Sequence, residues 1–119
     1  MKKTNNYNHI LLVRTDRIGD VILTTPSISL LRENYPSARI SFLTRNYTKP
    51  LLEHHRDLDN IIVYDPEQRH KGIRGLFKLA QDLKNQDIDL AILFHPLPAL
   101  ALALFMASIP HRAGTGYRW

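Results

Sequence analysis

The chain has 119 residues, 44% of them hydrophobic and 23% charged, with a formal net charge of +5. That describes one domain with a core of its own and the composition of an ordinary soluble globular protein. There is no cysteine, which excludes disulfides and thiolate metal sites and fits a reducing compartment. The basic balance suits nucleic acid, anionic headgroups or phosphorylated substrates, and equally a merely solvated surface.

The opening MKKTNNYNH has two lysines but no apolar stretch before Ile10, so it reads as no secretory signal. Ile10–Arg14 is the first expected strand. Asp20–Tyr35 follows as a helix, with Val21, Thr25, Ile28, Leu31 and Tyr35 near one face. Pro26 leaves two options: a kink, or a second helix start capped by Thr25. Pro36 stops the helix.

Arg39–Thr44 is a second strand, rich in β-branched and aromatic residues. Thr48–His55 is a short helix, Asp57–Asn60 a turn and Ile61–Tyr64 a third strand. Lys71–Asn85 is a helix whose Ile73, Leu76, Phe77, Leu79, Ala80 and Leu83 form an apolar stripe. Asp89–Phe94 is a fourth strand with a continuous apolar interior, as suits a strand buried on both faces. The apolar run from Leu97 to Ile109 falls short of the roughly 20 residues a bilayer span needs, so Leu97–Ala107 reads as a buried helix. Arg112–Tyr117 begins a fifth strand. Regular alternation of this kind predicts an α/β fold, Rossmann-like, with a parallel sheet and helices on both faces. A further crossover helix should follow the fifth strand, so the end at Trp119 reads as an interruption.

The loop TDRIGD between the first strand and helix holds the densest chemistry. Asp20 either caps the helix or acts as a general base toward an incoming hydroxyl. Gly19 supplies a tight turn or a close backbone approach. Thr15 and the backbone N–H groups of residues 16–20 can hold an anion at the helix N-terminus. Arg14 and Arg17 can grip phosphate or carboxylate, or pair with Asp16 or Asp20. With one glycine, the loop matches neither G-x-G-x-x-G nor the P-loop pattern. His95 sits just past the fourth strand, where ligand groups of such sheets gather, although a lone histidine there is more often structural. His54, His55, His70 and His111 have no metal-ligand spacing, so no metal is expected. No serine lies in G-x-S-x-G. Lys71, Arg74, Lys78 and Lys84 share one amphipathic helix, and no nucleic-acid module is expected.

The stretch ILLVRTDRIGDVILTTPSISLLRENYPSARISFLT resembles the opening of family 9 glycosyltransferases, the heptosyltransferase group of lipopolysaccharide core synthesis. DLDNIIVYDP, DLAILFHP and IPHRAGTGYRW extend the similarity over nearly the whole chain. The resemblance implies the N-terminal half of a GT-B architecture. Residues 1–119 would form a single, incomplete acceptor-side domain, with the donor-binding C-terminal domain absent. The implied reaction moves a sugar from a nucleotide-sugar such as ADP-heptose to a lipopolysaccharide-core or related lipid-linked, phosphorylated acceptor. It is inverting and metal-independent and needs no cofactor on this domain. Carried over residue by residue, Asp20 is the catalytic base, with Thr15, Arg17, Gly19, His95 and Arg112 on the acceptor side. The implied location is cytoplasmic, with peripheral contact at the inner face of the inner membrane. The isolated chain is expected to be inactive. The alternative reading is a standalone, non-catalytic Rossmann-like module that binds an anionic sugar, a lipid headgroup or a separate donor-domain partner.

Overall fold

The computed structural model describes residues 7–15, 17–94 and 97–114. Five strands alternate with four helices: β1 (His9–Val13), α1 (Ile18–Asn34), β2 (Arg39–Arg45), α2 (Lys49–Leu52), β3 (Asn60–Tyr64), α3 (Gly72–Lys84), β4 (Leu90–Leu93), α4 (Pro98–Met106) and β5 (His111–Gly114). The expected elements are present, with ends shifted by a few residues; residues 115–117 of the expected fifth strand lie outside the described residues. The strands form one sheet in the order β3-β2-β1-β4-β5, and every pair is parallel. The fold is α/β and Rossmann-like. Strand order reverses between β1 and β4, the switch point beside which such sheets bind ligands at their carboxyl edge.

β1 is buried along its whole length, as a central strand covered on both faces must be. Its residues divide between two cores. Leu11 and Val13 join Leu79 and Leu83 of α3 and Leu100, Ala103 and Leu104 of α4. Leu12 joins Ile40, Phe42, and Val21 and Ile28 of α1, with Leu52 of α2. The helices therefore form two layers, α1 and α2 on one face and α3 and α4 on the other.

α1 runs unbroken through Pro26. A proline there has no N–H to give the carbonyl of Ile22 one turn back. The hydroxyl of Thr25 donates to that same oxygen at 2.7 Å, so the lost bond is replaced. Thr24, not Thr25, faces the core, and its hydroxyl donates to the Asp20 carbonyl at 2.8 Å. The helix closes at Asn34, because the residue before Pro36 is pushed out of helical geometry. Arg32 then ties this end down. Its guanidinium donates to the carbonyls of Pro36, Ala38 and Asp57 and, at 2.7 Å, to the Asp59 carboxylate.

The apolar stripe of α3 is narrower than its 3.6-residue period suggests. Leu79, Ala80 and Leu83 are buried, but Ile73 and Phe77 are 74% and 59% exposed. Gly75 explains how closely this helix is held. A Cβ there would lie 1.8 Å from the backbone carbonyl carbon of His70, so only glycine lets the preceding loop pack against the helix.

Candidate functional site

Two backbone bonds set the carboxyl edge of the sheet. The Arg14 N–H donates to Leu43 O at 3.1 Å, and the Phe94 N–H donates to Val13 O at 3.0 Å. β1 and β4 thus end at one level, while β2 runs two residues further. From that level residues 14–17 cross to the first turn of α1. Arg17 is the N-cap, in extended geometry, with no side-chain capping bond. Asp20 is therefore not the cap, contrary to one of its two sequence readings. It lies in the first turn of the helix, where the helix dipole favours a negative charge. Its carboxylate meets the Arg14 guanidinium at 3.6 Å, and the two side chains are 36% and 20% exposed. The pair is loose and reachable from solvent, which leaves carboxylate oxygens free to accept a proton from a third group.

Around this pair the junction is open. A Cβ on Gly19 would meet nothing within 4 Å. Gly19 is helical, not the tight turn the sequence suggested, and what it provides is room beside Asp20. Thr15 is buried, and its hydroxyl oxygen finds no hydrogen-bond partner among the described residues. Arg17 is exposed. Gly19, Asp20 and Ile18 head the helix, so their N–H groups have no acceptor inside it. Thr15, Arg17, Gly19 and Asp20 thus lie together at the β1–α1 junction.

His95 lies outside the described residues, as does Asp16. Arg112 is described, and it sits elsewhere. It pairs in register with Ala91, which is level with Leu11. That is two residues, roughly 6.6 Å, short of the carboxyl edge. β5 is also the far edge strand, and the Arg112 guanidinium lies 5.1 Å from the ring centre of Phe105 on α4. It belongs to the α4 side of the sheet and not to the Asp20 site.

A residue that sequence reasoning missed takes a better position. Arg45 ends β2, two residues past Leu43 and so at the level of Thr15. Its guanidinium stands 5.5 Å over the Tyr47 ring and 4.0 Å from the Glu67 carboxylate. The signal was available: an arginine closing the apolar run RISFLTR marks a strand end at the functional edge. Arg14, Arg17 and Arg45 together make that edge cationic, as a phosphate- or carboxylate-bearing ligand requires.

The neighbouring β3–α3 junction contains a histidine and a carboxylate too, yet it is closed on itself. His70 is buried, and its Nδ1 accepts the Asp65 N–H at 2.9 Å. Its Nε2 must then carry the proton and donates to Asp82 at 3.1 Å. Arg69 grips the same carboxylate at 2.8 and 3.1 Å. Burial pushes the Asp82 carboxyl up, but hydrogen bonds and charge from Arg69 and His70 outweigh it and hold the group below its ordinary value. Among the described residues no cluster of three or more His, Asp or Glu is placed to hold a metal.

No family model matches the sequence. Lipopolysaccharide heptosyltransferase 3 of Escherichia coli K12 is 33% identical over 78 residues, which is 62% of this chain and 22% of that protein. A glycosyl transferase family 9 crystal structure from Veillonella parvula superposes with a TM-score of 0.84 at 26% identity, covering 98% of this chain and 35% of that one. The chain is similar to heptosyltransferases of glycosyltransferase family 9. The E. coli ADP-heptose lps heptosyltransferase II structure gives a TM-score of 0.73 at 25% identity, over 89% of this chain and 30% of that one. The chain thus spans between a fifth and about a third of these three proteins. Among its described residues no helix is long and apolar enough to cross a membrane.

Proposed function

We propose that this chain is the acceptor-side domain of a family 9 glycosyltransferase, and that Asp20 is its general base. The supporting observation is the open Arg14–Asp20 pair on the first turn of α1, at the sheet's switch point. The acceptor is a lipopolysaccharide-core or related lipid-linked glycan, and its anionic groups suit Arg17, Arg45 and the uncapped helix start. An acceptor hydroxyl donates its proton to Asp20 while its oxygen attacks the anomeric carbon of the donor sugar. The bond from that carbon to the nucleoside diphosphate breaks, the diphosphate leaves with the electron pair, and the configuration inverts. Arg14 stands beside the carboxylate at 3.6 Å. ADP-heptose is the donor that the relatives' names suggest, held by a second, donor-binding domain. Work on such an acceptor places the domain on the cytoplasmic side, peripheral to the membrane that carries the lipid.

On this reading the 119-residue chain alone transfers no sugar, because donor and acceptor must be held in one geometry for reaction. Transfer by the purified chain would refute that. Fused to the donor-binding half of E. coli heptosyltransferase II, it gains transfer. Asp20→Asn in that fusion then lowers kcat by about 10²–10⁴ without changing its circular dichroism. Near-normal turnover of the variant would remove Asp20 from the mechanism. Calorimetric titration of the chain with core oligosaccharide tests the acceptor site separately from any donor half.

A further inference from the structure

The two helix layers differ in what they expose. On the α1 layer, Ile22, Leu23 and Leu30 are exposed, but Asp20 and Glu33 share that helix. On the other layer, α3 exposes Ile73 and Phe77, one turn apart. Arg74 and Lys78 follow each of them by one residue, Lys71 precedes the helix and Lys84 ends it, and all four are exposed. The single acid of α3 is Asp82, already held by Arg69 and His70. In the preceding loop, Glu67 lies toward Arg45 at 4.0 Å. α4, which packs beside α3, has no charged residue and exposes Leu102 and Phe105.

An exposed aromatic–aliphatic pair costs solubility when it has no partner. Cations beside the pair, on a helix whose single acid is already held by Arg69 and His70, make its surroundings attractive to an anionic layer. Both features together are what an interfacial helix uses: apolar side chains enter the headgroup boundary while lysine and arginine stay at the phosphates. We propose that the outer face of α3, through Ile73 and Phe77 flanked by Lys71, Arg74 and Lys78, docks this chain on an anionic lipid surface. The surface specifies the peripheral contact proposed above and rests on that reading only for the source of the lipid. Its test requires no transfer activity, so the two can fail separately.

The test is sedimentation of the purified chain with vesicles of phosphatidylcholine alone and of phosphatidylcholine mixed with phosphatidylglycerol. Binding to the mixed vesicles alone is expected, and it weakens as salt rises. Replacing Arg74 or Lys78 by Gln lowers the partition coefficient about fivefold each. The double variant Ile73→Ser/Phe77→Ser lowers it about tenfold or more. Leu30→Ser, on the opposite layer, leaves it unchanged. All these side chains are exposed, and thermal unfolding checks that each variant folds. No binding to mixed vesicles, equal binding by the α3 variants, or an equal loss in Leu30→Ser would each overturn the proposal. So would retention on immobilised polyglutamate without vesicle binding, which would mark an acidic protein as the partner.

Discussion

The β1–α1 and β3–α3 junctions leave the same edge of one sheet, and they use their polar groups in opposite ways. At β3–α3, both nitrogens of His70, the fork of Arg69 and the carboxylate of Asp82 are joined to one another and to the backbone. Gly75 allows the loop to press against the helix. At β1–α1, Thr15 has a buried hydroxyl with no partner among the described residues, and Arg14 and Asp20 stand 3.6 Å apart. Buried polar groups are normally satisfied, so a junction that leaves them open is one built for something else to complete. The presence of a His–Asp pair is thus a poor guide to chemistry here. Unspent hydrogen-bonding capacity is the better one.

Substitutions in the closed junction should cost stability and leave ligand binding alone. The largest effect is expected for Gly75→Ala. Its new methyl collides with backbone rather than a movable side chain, so unfolding free energy in urea should fall by about 3 kcal/mol or more. If Gly75→Ala is nearly as stable as the parent, the close approach of loop and helix is not what holds this junction.

Asp82→Ala comes next. It strands the buried Nε2–H of His70, and a loss of about 2 kcal/mol is expected in the same assay. The acid limb of stability sharpens the point. Asp82 is held below its ordinary value in the folded chain, so its contribution is present above the unfolded pKa of about 3.9 and is lost as pH falls through the folded value. Asp59 behaves likewise: burial raises its pKa, but the Ile40 N–H and Arg32 outweigh it. The thermal midpoint should therefore fall more steeply below about pH 4 in the parent than in Asp82→Ala. Identical acid limbs would show that the Asp82 network contributes nothing.

The smallest effect concerns the helix that carries the open site. Thr25→Val keeps the side-chain shape but removes the hydroxyl that serves the Ile22 carbonyl beside Pro26. A loss of about 0.5–1 kcal/mol is expected, read in the same urea titration. No change would mean water serves that carbonyl equally well.

Much of this was legible in the residues. Apolar and β-branched runs such as ILLV and RISFLT located the strands, and their regular alternation with helices implied the parallel sheet. The TDRIGD loop marked the candidate site because segments leaving the carboxyl ends of parallel strands line the edge where such sheets bind ligands. Arg112 was misplaced because the level of a residue along a strand depends on inter-strand register, which composition does not encode. Ile73 and Phe77 belong to the apolar stripe of α3 yet stand exposed, because periodicity reports hydrophobicity and not cover. The choice at Pro26 turned on a single hydroxyl, and the choice at Asp20 on which residue is the cap. Neither is settled by residue type alone. Gly75 looked like any helix-interior glycine until the loop against it was seen.

The most direct test is a titration of the ¹⁵N-labelled chain with core oligosaccharide, followed amide by amide. The account predicts that residues 14, 15 and 17–20, with Arg45, shift and saturate together, while residues 65–75 remain still. Shifts centred on the β3–α3 junction, or none at the first turn of α1, would contradict it.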